Sequence, residues 1–400
     1  MFGGWSWRSR DPGSRPAGLG GAYVAVADSI RTAAINPAGI ALVPKAELSV
    51  GTSALWAGIG ISLRHTAPST PAGPAAPPPV TTRPTQPGRP VPCAPPRQTR
   101  PLALALFVEQ SVTQDNQLDV VRGPSLSESG TLSSTTETAG LTVARGLTPW
   151  LDLGATVTWR HVQMEGQSSL VDLAGDELSR ITIGGDANKA RAIAGALATF
   201  GPLTDPTAFR LGVAYQRDIV GWSVERTAID RVRGVVNGPS PIDLEEPPVL
   251  TGGAAWRVSD TWLVSGEVDY IWYDRIGRAL ARDTDSATAS AFTLKNGVEP
   301  RLGVEMTASS LLGGEFKLRA GVRRETSGRL AYVGSDTGLQ QAFAAAPAAV
   351  RAGAGASLLG EFYENAFRLD VDVSQVVVQH LTPVRAAGRR RISLALTVRL

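Results

Sequence analysis

The sequence lacks most of what an enzyme or a metal centre is built from. Of 400 residues only one is a cysteine, Cys93, which excludes a disulfide framework and any multi-cysteine metal site. The three histidines, His65, His161 and His380, are scattered, so no His-based metal centre is expected. No apolar run reaches the roughly 18 residues of a membrane-spanning helix. Charge of one sign is also lacking: 39 basic and 36 acidic residues leave a net charge of +3, which gives no electrostatic case for nucleic acid. There is no H-E-x-x-H, no G-x-S-x-G and no P-loop. Gly353 and Gly355 in RAGAGASLLG have the look of a dinucleotide loop, but the helix that such a loop opens is missing. Small residues where backbones approach closely are the better reading there. No catalytic residue, cofactor or metal is therefore expected. Met1 to Arg10, MFGGWSWRSR, has no apolar core of a secretion signal.

What is present is turns and alternation. Hydrophobic residues make up 43% and charged residues 19%, a composition that folds. The 43 glycines and 28 prolines argue for many turns. Pro68 to Pro96 holds 12 prolines in 29 residues. Proline has no N–H for a ladder, so this stretch reads as a solvated, partly polyproline loop insertion. Elsewhere the period is two. In WLVSGEVDYIW, Trp262, Val264, Gly266, Val268, Tyr270 and Trp272 share one face; Leu263, Ser265, Glu267, Asp269 and Ile271 share the other. The pattern returns in Phe209–Tyr215, in Phe316–Arg323, in Phe367–Ser374 and in Arg391–Leu400.

Strands are expected near 46–64, 102–111, 116–124, 135–146, 151–165, 191–201, 208–218, 248–258, 262–275, 299–308, 315–324, 349–360, 366–379 and 390–400. Short and long links alternate between them, the long ones at 65–101, 125–134, 166–190, 219–247, 276–298, 325–348 and 380–389. An up-and-down membrane barrel predicts this: an even strand number, short turns on one side and long loops outside. The expected fold is all-β, a 14-stranded antiparallel transmembrane barrel over 46–400, with the Pro-rich link 65–101 outside the cell. The polar strand faces carry both signs: Glu267, Asp269, Asp370 and Asp372 against Lys317, Arg319, Arg323, Arg391 and Arg399. A basic group facing lipid costs roughly 2–4 kcal/mol at the midplane. The charged faces should therefore line the lumen as a pairing network, with Asp370 and Asp372 beside Arg391 and Arg399 and near Lys317 and Arg319. Trp150 and Trp262 at short turns, and Tyr270, Trp272 and Tyr273 at the opposite strand end, fit interfacial girdles.

Residues 18–42 read GLGGAYVAVADSIRTAAINPAGIAL. The stretch from Gly20 to Asp28, and Asn36-Pro37-Ala38-Gly39, resemble the N-terminal hatch of the FadL family, outer-membrane channels for long-chain fatty acids and other hydrophobic compounds. WRVSDTWLVSGEVDYIWYDRI (256–276), RLGVEM (301–306) and FKLRAGVRRE (316–325) resemble that family's later strands more weakly. The resemblance implies a fourteen-stranded barrel, a hatch over residues 1–45, a mature N-terminus near Pro12–Gly21 and hence a signal upstream of the given start. It implies Asn36, Pro37, Ala38 and Gly39 as the gate, with Ile35, Ile40 and Leu42 as candidate ligand contacts. The gate turn is expected to bury little. The final Leu400 and the Pro-rich link depart from the family pattern. The function so implied is passive passage of hydrophobic small molecules, by a monomer among outer-membrane lipids, placed there by the barrel-assembly machinery. The alternatives are a non-transporting outer-membrane barrel in secretion, assembly or binding, and a soluble secreted β-protein.

Overall fold

The computed structural model describes residues 13–43, 46–53, 56–64, 102–113, 118–121, 126–172, 174–201, 208–232, 234–275, 292–311, 314–326, 331–335, 340, 348–362, 365–378 and 391–399. The strands in chain order are β1 (Glu47–Ser53), β2 (Trp56–Arg64), β3 (Ala103–Thr113), β4 (Leu118–Val121), β5 (Leu126–Thr148), β6 (Leu151–Asp172) and β7 (Glu177–Phe200). Then come β8 (Phe209–Val220), β9 (Trp222–Asp230), β10 (Val235–Leu244), β11 (Val249–Arg257), β12 (Trp262–Ile271) and β13 (Phe292–Thr293). The last are β14 (Gly297–Leu311), β15 (Gly314–Glu325), β16 (Ala331–Tyr332), β17 (Ala349–Phe362), β18 (Asn365–Val378) and β19 (Arg391–Arg399).

All but β13 and β16 join one large antiparallel sheet. Pairing runs β1–β2–β3–β5–β6–β7–β8–β11–β12–β14–β15–β17–β18–β19. β1 also pairs with β19, Glu47 opposite Arg399 through Ser53 opposite Ser393. β4 lies beside β5, and β9 bridges β7 and β10.

Three expectations need correction. The stretch 46–64 is a hairpin of two strands, with Ser53 opposite Trp56. Val50, Gly51, Thr52 and Ser53 give no break in period that would mark its turn. The stretch 116–124 contributes only the four residues of β4, so β3 pairs directly with β5. The expected long loops 125–134, 166–190 and 219–247 are largely strand: β5, β6 and β7 run 23, 22 and 24 residues, and β9 and β10 fill most of 219–247. The far half of β5 is Ser-, Thr- and Glu-rich on both faces and carries no apolar alternation, while those of β6 and β7 keep only short alternating runs at Val162 and Met164 and at Ile181 and Ile183.

The hairpin has a topological consequence. Segment 65–101 lies outside the described residues, but its flanks do not. Arg64 pairs with Ala103 and Ala103 with Ala144, close to the tight β5–β6 turn between Thr148 and Leu151. The chain therefore leaves β2 and enters β3 at the end that carries the β5–β6, β11–β12, β14–β15 and β17–β18 turns, opposite the β1–β2 and β6–β7 turns, whereas 65–101 was expected among the long connections.

Where both faces are described, as on β12 and β18, one face of the strand is bare and the other is buried. On β12 the bare face exposes Val264, Val268 and Tyr270, while Ser265, Glu267 and Asp269 are buried. On β18 it exposes Leu369, Val371 and Val373, while Asp370 and Asp372 are 1% and 0% exposed. This reverses the order of a water-soluble sheet. Leaving each such Val or Leu in water would forfeit about 1.5–3 kcal/mol. On β6 the bare face shows Leu153, Val157 and Trp159 and turns polar at His161 and Gln163. The change falls on one register row, Gln110–Glu137–His161–Asn188. Gln110 Nε2 donates to Glu137 Oε1 at 3.1 Å, and His161 Nδ1 lies 3.2 Å from Asn188 Oδ1. Trp150 and Trp262 are exposed at the tight-turn end as expected. At the other end Trp272 packs edge-on against Tyr270 and Tyr215, whereas Tyr273, expected beside them, is buried.

Candidate functional site

Residues 13–43 form a short helix (Ser14–Gly18) and two 3-10 turns (Ile30–Ala34 and Pro37–Leu42). None of this segment pairs into the sheet, yet nearly all of it is buried. Gly20 and Gly21, at φ +65° and +88°, take the chain through left-handed backbone that other residues seldom adopt. A side chain on Gly20 would also meet Val322 N at 2.5 Å.

The segment is tied to strands on all sides by polar groups. Arg15 Nε and Nη2 donate to Glu305 Oε2 and Oε1, both at 2.8 Å, a fork that fits a carboxylate. Arg15 Nη1 also pairs with Asp28, and the guanidinium lies 5.7 Å from the Tyr23 ring centre. The backbone N–H groups of Tyr23 and Val24 donate to Glu267 Oε2 at 2.8 and 2.7 Å. The Ile30 N–H donates to Glu47 Oε2 at 2.9 Å, and Glu47 also receives Arg399 Nε at 2.6 Å. Thr156 donates to Ala33 O at 2.7 Å, and Arg210 to Val26 O at 2.9 Å. Lost hydration alone would raise the Asp28 carboxyl, but Arg15, with Arg368 and Arg210, holds it well below the usual carboxylate range. Burial, reinforced by Asp28, pushes the Tyr23 phenol up to about 12.

The expected gate residues sit at the centre of this contact. Asn36 is 0% exposed. Its Nδ2 donates to Val24 O at 2.8 Å and Ala196 O at 3.1 Å, and its Oδ1 receives the Ala38 N–H at 3.2 Å. Asn36 caps the turn and Pro37 is the turn's first residue, where its missing N–H costs nothing. Pro37, Ala38 and Gly39 are buried, so the expectation that this turn buries little is wrong. The turn presses on a wall that has no side chains there. Ile40 packs in an apolar cluster with Ile30, Ala103, Ala105 and Ala144. Ile35 and Leu42 are partly buried against Leu19, Tyr23, Val24 and Leu197. All three expected ligand contacts are occupied by internal packing.

The expected charge network divides. Arg301 is its organiser on one side, bonding Glu267 Oε1 at 2.7 Å, Asp269, and Glu299 Oε2 at 3.4 Å. Arg319 is the organiser on the other, reaching Asp370 at 2.9 Å, Asp372 at 3.0 Å and Glu305 at 3.7 Å. Lys317 pairs instead with Glu315 at 2.9 Å. The Arg391 side chain lies outside the described residues. Arg399 does not meet Asp370 or Asp372, because the β18–β19 register sets them opposite Ala395 and Ser393 and carries Arg399 to Ala366, within reach of Glu47. Arg301 and Glu305 were missed although period two over Glu299, Arg301, Gly303 and Glu305 puts them on one face. Arg15 and Glu47 had no signal in the sequence.

Glycines in register make room for the segment. Gly154 faces Gly195, Gly212 faces Gly253, and Gly303, Gly321 and Gly353 run across three strands. A Cβ on Gly321 would lie 2.1 Å from the Leu19 carbonyl carbon, one on Gly353 2.2 Å from Ala17 O, and one on Gly212 2.3 Å from Val24 O. Gly355 instead makes room for the Asp372 carboxylate. The reading of close backbone approach thus holds at Gly353, whereas at Gly355 the space is taken by a side chain.

No protein-family model matches the sequence, and no curated protein matches it. Solved structures do. A Pseudomonas aeruginosa FadL homologue is 11% identical over 97% of this chain and 98% of that one, at a TM-score of 0.55. The CymD monoaromatic hydrocarbon channel is 12% identical over 96% of each chain, at 0.54. The toluene transporter TbuX of Ralstonia pickettii is 12% identical over 97% and 98%, also at 0.54. At such identities the likeness establishes the fold, and the chain has the fold of the FadL-type channels.

The glycine shelf yields a prediction. Overpacking by one methyl costs about 1–3 kcal/mol. With Cys93 replaced by Ser, a cysteine at Ala22, now 1% exposed, should be almost inert to maleimide. Adding Gly321→Ala should raise its labelling rate about tenfold, as the overpacking loosens the segment, with the sheet still folded by gel heat-modifiability. Unchanged labelling would show that the segment does not rest on that shelf.

Proposed function

We propose that the chain is a fourteen-stranded transmembrane barrel of a bacterial outer membrane, joined between β1 and β19. Residues 13–43 are its hatch, and the whole is a passive channel for hydrophobic small molecules. The observation that carries this reading is the reversed partition, apolar residues bare and ionised residues buried, wrapped round a buried segment. Ring strands with all ladder bonds made between themselves are one of the two architectures a bilayer tolerates. The end with most of the long connections faces outward, together with the short β1–β2 and β6–β7 turns, and the end with the β5–β6, β11–β12, β14–β15 and β17–β18 turns faces the periplasm, together with the 65–101 link. The Gln110–Glu137–His161–Asn188 row then marks the outer edge of the lipid band, and β5 to β7 rise beyond it.

Gating follows from how the hatch is held. It gives no strand to the sheet, so it can shift without breaking a ladder bond. Its ties are side-chain bonds worth about 0.5–1.5 kcal/mol each, or about 1.5–3 where a charge takes part. Moving the Asn36 turn off Gly154 and Gly195 would uncover Ile30, Ile40 and the apolar wall beneath. The structural neighbours include a monoaromatic hydrocarbon channel and a toluene transporter; to this chain we carry over a hydrophobic ligand. Its other partners are outer-membrane lipids and, during biogenesis, the barrel-assembly machinery, and it acts as a monomer without catalysis.

Two tests follow. Cells expressing the protein should accumulate labelled long-chain fatty acid or toluene faster than cells lacking it, and Asn36→Ala with Pro37→Ala should change that rate while the barrel stays heat-modifiable. Accumulation equal to that of cells lacking the protein, for both compounds and both forms, would refute transport. The second concerns sidedness. Proteinase K added to intact cells should leave 68–96 uncut and cleave it once the outer membrane is permeabilised. Cleavage in intact cells would overturn the orientation.

A further inference from the structure

The hatch meets the wall in two different ways. Along β12 and β14 the contact is ionic: Arg15 bonds Glu305, the Tyr23 and Val24 N–H groups bond Glu267, and Arg301 Nη1 donates to Gly21 O at 3.3 Å. Along β3 and β5 the contact is apolar, with Ile30, Ile40 and Ala41 against Ala103, Ala105 and Ala144. Opening the first contact separates buried charged groups from their partners. A hydrophobic molecule entering the second replaces one apolar contact by another. The apolar seam is therefore the easier way past the hatch.

One side chain stands at the head of that seam. Phe107, two residues beyond Ala105 on the inner face of β3, packs against the same cluster and is half-buried. Among the described strand side chains it is the one Phe, Tyr or Trp on the inner face; Trp159, Tyr215 and Trp262, for example, stand on the bare face. Its register neighbours are glycines on both sides, Gly60 on β2 and Gly140 on β5. The ring lies over Gly140, where a Cβ would come 2.2 Å from Phe107 Cζ and 2.3 Å from Cε1. Covering glycine backbone is a common structural use of an aromatic in a sheet. Two features go beyond it. The second glycine of the row offers the ring another bare stretch of wall, one rotation about the Cα–Cβ bond away. The next row toward the tight-turn end, Ala105 opposite Thr142, is already hatch contact: Thr142 Oγ1 lies 2.7 Å from Thr156 Oγ1, which donates to Ala33 O.

We propose that Phe107 is the threshold residue of the channel: over Gly140 its ring closes the lumenal end of the seam between hatch and wall, and over Gly60 it uncovers it. The balance between the two positions sets the rate at which hydrophobic molecules pass the hatch. This rests on the channel reading and deepens it, by assigning the route to the β3–β5 side and the rate to one side chain. The movement is a single side-chain rotation, and it leaves the ionic contacts along β12 and β14 in place.

Uptake of labelled toluene by cells expressing single and double variants tests it. A methyl placed where the ring lies disfavours that position by about tenfold. Gly140→Ala should therefore drive the ring off and raise the uptake rate about tenfold, whereas Gly60→Ala should deny the second position and lower the rate by a similar factor. Once Phe107→Ala has removed the ring, neither glycine change should alter uptake. A glycine merely covered for stability would give no such opposed signs. Should Gly140→Ala lose heat-modifiability, Phe107→Ala takes its place: it should raise uptake about tenfold and cancel the effect of Gly60→Ala. Changes of the same sign at both glycines, no change at either, or effects that persist in Phe107→Ala would overturn the inference and leave the channel reading intact. Uptake no faster than in cells lacking the protein, for wild type and every variant, would remove both.

Discussion

The structure depends on one separation: polar, charged and small side chains face inward and apolar side chains outward, most sharply on β12, β14, β15 and β18. Asp269, Asp370 and Asp372 are at most 1% exposed while Val268, Leu369 and Val371 beside them are bare. Burying an ion is tolerable only with partners at hydrogen-bond distance. Arg301 and Arg319 supply them, each gathering carboxylates from neighbouring strands. Register therefore carries the electrostatics. A slip by one residue would turn every carboxylate to the bare face and every valine inward.

Wall carboxylates also hold the N-terminal segment. Glu267 is shared between Arg301 and two backbone N–H groups, Glu47 between Arg399 and Ile30 N–H, and Glu305 between Arg15 and Arg319. Each of these three anions thus balances a wall cation and fixes an atom of residues 13–43. Opposite these anchors the wall is glycine, which lets two backbones touch where a side chain would hold them apart. A segment fixed by a few charged bonds and otherwise only resting on a smooth wall is well ordered yet separable from the sheet.

Much of this was legible in the sequence, for a physical reason. Period two is strict where one face meets an apolar medium, so β8, β12, β15, β18 and β19 stood out from Phe209, Trp262, Phe316, Phe367 and Ile392 onward. The far half of β5 was not legible, since a ladder between two polar faces leaves no hydrophobic signature, and those of β6 and β7 offer only short runs such as Val162–Met164 and Ile181–Ile183. The β1–β2 turn was hidden because Gly51 to Ser53 keep the alternation going, and that one omission put the Pro-rich segment at the wrong end. Asn36 was legible only through a family resemblance. Its bonds to Val24 and Ala196 are contacts across 12 and 160 residues that no local pattern records. Arg15 lies outside the strands, where chemistry depends on the folded path alone.

The most direct measurement concerns the bare face. Trp159 ends the apolar band of β6 and is 56% exposed. In a variant whose only tryptophan is Trp159, reconstituted into bilayers, lipids brominated along their acyl chains should quench its fluorescence strongly, and aqueous iodide should not. Quenching by iodide with none by brominated lipid would place that face in water and contradict the membrane barrel.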